Sequence, residues 1–120
     1  MGYIHLPVTV RNPADASKEL EVNFLVDTGA YESLIPKTML ETIDIAPQGK
    51  RDYVMADGRE VRLDVAVARM EIMGELIGST VIFGDEGTEP LLGALDLQAA
   101  GVVVDPRKET VQKMPSLRRL

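Results

Sequence analysis

Phe24-Leu25-Val26-Asp27-Thr28-Gly29-Ala30 is the stretch that decides how this chain is read. It sets one carboxylate at the end of an apolar run, followed by a hydroxyl and two residues with almost no side chain. Upstream, Leu20, Val22, Phe24 and Val26 recur at every second position, the period of a half-buried strand that leads directly into Asp27. Phe24-Leu25-Val26 would anchor the loop in the core and so fix where the carboxylate stands. Thr28 supplies a hydroxyl that can hold the loop, or a partner chain, without adding charge. Gly29 permits unusual backbone angles and close approach, and Ala30 keeps the wall small. The Asp-Thr-Gly triplet occurs once. Chemistry that needs two such carboxylates would therefore need two copies of the chain.

Size and composition frame that reading. At 120 residues the chain is expected to be one domain spanning residues 1–120, with its core between Ile4 and Met114. It is long enough to bury a core and too short for two lobes. Apolar residues make up 45% and charged residues 27%, ordinary for a globular protein. A net charge of -6 argues against nucleic acid as the main partner. With no cysteine and a single histidine, His5, neither a thiolate site nor a histidine cluster can hold a metal, and none is expected. No apolar run approaches the ~18 residues of a membrane span. The N-terminus lacks the pattern of a secretory signal. Met1-Gly2 opens like a myristoylation site, but Leu6 stands where that motif wants Ser or Thr. A cytoplasmic protein without a membrane partner is the expectation.

Outward from Asp27 the chain reads as mostly β. Ile4, Leu6, Val8 and Val10 alternate with polar residues, and Pro7 assigns that strand to an edge. Residues 33–42 hold a helical turn, with Pro36 suited to its first position. Tyr53-Val54-Met55-Ala56 meets Asp57-Gly58, a favoured two-residue hairpin turn. In the return strand the apolar phase shifts near Val67-Ala68, which predicts a bulge. A strand follows from Leu76 to Phe83, then the tight apolar Pro90-Leu91-Leu92-Gly93. Ala94 to Ala100 reads as the one clear helix, with Gly101 as its stop. A last hairpin spans Val102 to Met114. Arg118-Arg119 reads as a solvated tail. Short strands with turns between them suggest a small barrel or a pair of packed sheets.

Three elements in this order resemble a retropepsin-like aspartic protease of the stand-alone prokaryotic kind: the Phe24–Ala30 run, the hairpin tipped by Ala56-Asp57-Gly58-Arg59, and Pro90-Leu91-Leu92-Gly93 before a helix. The resemblance implies a small closed β-barrel of the acid-protease type, with a flap hairpin and one short C-terminal helix. It implies a homodimeric endopeptidase without a cofactor, in which Asp27 from each subunit shares one proton with its twin and activates water. Thr28, Gly29 and Ala30 would support the catalytic loop. Met55, Ala56, Asp57 and Gly58 would close over an extended peptide or protein substrate.

Two departures from the viral pattern stand out. Tyr31 and Ala94 occupy positions where viral members carry an acid and an arginine, so that ion pair is missing at both ends. The N-terminal interface strand is shortened, and the 102–114 hairpin offers alternative strands to a partner. A catalytically silent relative, serving as a dimerisation or peptide-binding module, is the other reading of the same residues. Asp44, Asp52, Asp64, Asp85, Asp96 and Asp105 lack the Thr-Gly context and read as surface or turn carboxylates.

Overall fold

The structure, a computed structural model, describes residues 3–114. The expectation for Arg118-Arg119 lies outside the described residues.

Alternation of apolar and polar residues produces two long antiparallel strands, β1 (His5–Asn12) and β2 (Asp15–Val26). Leu6, Val8 and Val10 face inward opposite Phe24, Val22 and Leu20. The turn between them is only Pro13-Ala14. It is held by Asn12, whose side-chain oxygen accepts from Ala14 N–H at 2.8 Å while its amide donates to the Ile43 carbonyl at 2.9 Å. The chain continues through β3 (Ser33–Pro36) and helix α1 (Lys37–Thr42), with Pro36 as N-cap. Strands β4 (Gly49–Val54), β5 (Glu60–Ile72) and β6 (Glu75–Gly84) follow. Then come the two-residue β7 (Leu91–Leu92), helix α2 (Ala94–Ala99) and the hairpin β8 (Val102–Asp105) and β9 (Thr110–Lys113).

The main sheet has the order β1-β2-β7-β3-β6-β5-β4, and β5 also pairs with β1. Six strands thus curl round one core, with β4 outside the circuit on β5. The expected closure is partial, because the β1–β5 seam joins only Thr9, Val10 and Arg11 to Glu71, Met70 and Arg69. The rest of β5 is engaged elsewhere, pairing with β4 from Glu60 to Val65. Pro7, which has no N–H to donate, lies in the part of β1 that β5 does not reach. The core gathers Val8, Val10, Phe24, Ile35, Leu40, Met70, Ile72, Val81, Leu92 and Leu97. Each fully buried large side chain of this kind contributes roughly 1.5–3 kcal/mol.

Three local expectations change in detail. A second short helix, α1, joins the C-terminal one, extending the helical turn read after Pro36. The phase shift in β5 is real but falls at Val65-Ala66, both buried, and register with β6 runs unbroken from Val65 to Ile72. No bulge is needed, because the strand leaves β4 at that point and exchanges one covered face for the other. The hairpin tip is not a two-residue turn. Met55 accepts from Gly58 N–H at 2.9 Å and donates to the Arg59 carbonyl at 2.8 Å, with Gly58 left-handed at φ 85. This is a four-residue turn closed by a left-handed glycine. The two-residue turn with both φ values positive occurs at Met73-Gly74 instead (φ 49 and 84).

Candidate active site

The loop that carries Asp27 leaves the core on β2 and returns on β3, and β7 is threaded between those two strands. Leu91 and Leu92 run parallel to Leu25 and Val26, and Leu91 also faces Leu34 on β3. The pairing continues through hydrogen bonds into the loop. Leu25 N–H donates to the Pro90 carbonyl at 2.9 Å, and Asp27 N–H to the Leu92 carbonyl at 3.0 Å. On the other side, Val26 N–H donates to the Ile4 carbonyl at 2.8 Å. The apolar Leu91-Leu92 pair is therefore the peg on which the Asp27 backbone hangs.

The carboxylate is oriented by its own loop. Gly29 N–H donates to Asp27 Oδ1 at 2.9 Å, and Ala30 N–H to the Asp27 carbonyl at 3.1 Å. Gly29 is not left-handed. Its value is close approach, since a Cβ there would lie 3.2 Å from Asp27 Oδ1. Ala30 accepts from Ala94 N–H at 2.8 Å, and Tyr31 from Leu95 N–H at 3.1 Å, so the first turn of α2 is strapped to the loop. Gly93 fits where no other residue would. A Cβ on it would lie 2.6 Å from the Glu32 carbonyl carbon and 2.7 Å from the Tyr31 oxygen.

Asp27 is half-buried, whereas Thr28 and Gly29 are exposed. Two concave surfaces adjoin them. One holds Asp27 and Thr28 with Ile4, Val26, Val104 and Pro106. The other runs from Thr28 past Ala94 and Leu97 to Val103 and Met114. The second is apolar, and its outer residues Val103 and Met114 are 48% and 54% exposed. Asp57, Gly58, Ala56 and Met55 form the exposed tip of the β4–β5 hairpin, and Arg59 N–H donates to Asp57 Oδ1 at 2.9 Å.

Behind the loop lies a polar network that the sequence reading missed. Asp96 was expected at the surface; it is 5% exposed. Its Oδ2 accepts from the Ser33 hydroxyl at 2.5 Å and the Ser79 hydroxyl at 2.7 Å, and Ser33 Oγ in turn accepts from Gly93 N–H at 2.9 Å. Burial pushes the Asp96 carboxyl above the usual carboxylate range, against the pull of the two hydroxyl bonds. The clue was positional: Asp96 shares a helix face with Leu97 and Ala100, and Ser79 shares a strand face with Ile77 and Val81, all buried.

The acid missing at Tyr31 has a counterpart one residue along, and its arginine comes from β4 instead of from Ala94. Glu32 is buried; its Oε2 accepts from Arg51 Nη1 at 2.6 Å and its Oε1 from the Tyr53 hydroxyl at 2.7 Å. Arg51 and Tyr53 sit two apart on β4 and so reach the same way. Burial, and then the bond to Glu32, raise the Tyr53 phenol to about 12. Among the described residues no cluster of three or more His, Asp or Glu groups could hold a metal. No helix there is long and apolar enough to cross a membrane.

Solved structures share this architecture. The solution structure of simian foamy virus (mac) protease matches with a TM-score of 0.57 at 19% identity, over 79% of this chain and 92% of the viral one. EIAV protease complexed with the inhibitor HBY-793 matches at 0.59 and 19% identity, over 81% and 86%. The retroviral protease-like domain of Ddi1 from Leishmania major matches at 0.59 and 16% identity, over 94% and 89%. These likenesses establish the fold of a retroviral-type protease. No curated protein matches the sequence. The family model for gag-polyprotein putative aspartyl protease matches residues 16–99, from the start of β2 to the end of α2 and including the whole Asp27 loop. On that match, across well over half its length, the chain belongs to the gag-polyprotein aspartyl protease family.

Proposed function

We propose that this protein is an aspartic endopeptidase that works as a homodimer, with one Asp27 from each subunit forming the catalytic pair. The observation that carries the reading is the presentation of Asp27. Its backbone is pinned to Leu92, its carboxylate is oriented by Gly29 N–H, and it stands beside an exposed Thr28. One carboxylate oriented at an accessible rim is half of a water-activating pair. A two-fold axis beside Thr28 supplies the other half through an isologous interface.

The roles follow from the chemistry. Two carboxylates this close share one proton, so the ionised one takes a proton from water while the protonated one polarises the scissile carbonyl. The attacking water and the departing nitrogen then exchange protons through the same pair, and no cofactor is required. Thr28, Gly29 and Ala30 hold the loop. Met55, Ala56, Asp57 and Gly58 at the hairpin tip cover an extended peptide. The apolar groove from Thr28 to Met114, with exposed Val103, supplies surface that a second subunit would bury. The likeness to the stand-alone prokaryotic kind of retropepsin-like protease belongs to the same proposal.

The test is cleavage of a diverse peptide mixture, read by mass spectrometry from about pH 3.5 to 8, with wild type and Asp27→Asn in parallel. Cleavage by wild type alone supports the mechanism. Equal cleavage by both contradicts it. Silence from a protein shown to be dimeric would favour a peptide-binding module.

A further inference from the structure

We infer that Glu32 is a positioning residue that registers the β4–β5 hairpin against the Asp27 loop, so that it governs how tightly a peptide is held more than how fast it is cut. The inference rests on the reading of Asp27 as the water-activating carboxylate and of the hairpin as a cover over substrate.

Strand β4 pairs with β5 alone, and the hairpin projects from the six-strand circuit as a two-stranded ribbon. Such a ribbon has little stability of its own and can swing about its root. Most side-chain links near it stay within the ribbon: Lys50 pairs with Asp64, and Arg62 with Asp52. Arg51 and Tyr53 instead reach out of it, and both end on Glu32. That carboxylate has a side-chain exposure of 6%, and each of its oxygens serves a different donor. Charge-assisted bonds of this kind, partly buried here because Arg51 stays half-exposed, are among the stronger ones available.

The other side of Glu32 is held just as firmly. Its carbonyl sits against Gly93 at a distance that excludes even a methyl group. The next residue, Ser33, bonds Gly93 N–H and buried Asp96. Glu32 therefore joins the hairpin to the same clamp that holds the Asp27 loop, five residues downstream of the aspartate itself. With the tie in place the ribbon is already aligned when a peptide arrives. Without it, the peptide must order the ribbon, and that cost falls on binding.

The test compares wild type with Tyr53→Phe, Arg51→Met, Arg51→Lys and Glu32→Gln. Tyr53→Phe is the mildest change and keeps the test valid should Glu32→Gln fail to fold. Two readouts are taken: hydrogen exchange by residue range, and kinetics on fluorescein-labelled denatured casein. Exchange in residues 49–60 is expected to quicken roughly tenfold while residues 66–72 stay unchanged. KM is expected to rise by about the same factor with kcat within about twofold, and Arg51→Lys to restore part of the loss. Unchanged hairpin exchange in every variant overturns the inference, as does equal quickening throughout the barrel. A fall in kcat with KM unmoved also overturns it, because Glu32 would then act on the aspartate. If wild type leaves casein intact while the exchange pattern holds, the tie stands and the reading of Asp27 is what fails.

Discussion

Replacing Gly93 by alanine isolates the contact that shapes the Asp27 loop. The backbone at Gly93 is extended (φ -86, ψ 168), so alanine meets no conformational objection there. The objection is steric: the new methyl would lie 2.6 to 2.7 Å from three main-chain atoms of Tyr31 and Glu32. Those atoms cannot rotate away, since Tyr31 and Ala30 are bonded to the first turn of α2. Overpacking against fixed backbone costs about 3 kcal/mol, and reduced freedom of the unfolded chain returns about 0.5 kcal/mol. For a 120-residue chain the unfolding entropy is about 0.25 kcal/mol/K, so the net loss lowers Tm by about 10 °C. Gly58→Ala is the matched control. It sits at φ 85 with nothing within 4 Å, and strain alone lowers Tm by about 4 °C. Thermal unfolding followed by circular dichroism measures both. A Gly93→Ala protein melting within about 2 °C of wild type would refute the clamp.

Other consequences can be checked with the same material. Because the folded Asp96 carboxyl titrates higher than the unfolded one, its contribution is fully present below the ordinary aspartate value and is lost as pH rises through the folded value. Asp96→Asn should therefore flatten the fall in stability as pH rises above the ordinary aspartate value and leave the pH 7 protein at least as stable, measured by urea unfolding; a loss of about 2 kcal/mol or more at pH 7 would contradict this. The Tyr53 phenol is raised from 10.0 to about 12, so its contribution is present below the unfolded value and fades as pH climbs between the two. Tyr53→Phe should remove that alkaline limb from the pH–stability curve, and an unchanged limb would place its origin elsewhere. Val103→Asp puts a charge on the apolar groove beside Thr28, and sedimentation should show a shift to monomer with parallel loss of cleavage. A Val103→Asp dimer of unchanged affinity would move the interface off that groove.

Much of this arrangement was legible in the sequence because it depends on short-range patterns. The alternation through Leu20, Val22, Phe24 and Val26 places Asp27 at a strand end, and Pro90-Leu91-Leu92-Gly93 announces a tight apolar segment. That Leu91-Leu92 slots between β2 and β3 is a pairing across more than fifty residues, and only the resemblance to known proteases placed it beside the Asp27 loop. Asp57-Gly58 signalled a hairpin correctly but not its turn, because the last ladder pair, Val54 with Glu60, leaves five residues to close. Asp96 and Glu32 were hidden for a common reason. Carboxylates read as surface residues until their hydroxyl, guanidinium and phenol partners are known, and those partners lie on other strands.

In the proposed function two Asp27 side chains act as one unit across a two-fold axis. Wild type and Asp27→Asn chains, unfolded together in equal amounts and refolded, would re-pair at random. Only dimers with two aspartates should cleave, so activity per wild-type chain should fall to about half of that in the unmixed enzyme. Activity per wild-type chain that stays constant on mixing would mean that each Asp27 works alone, and would contradict the account.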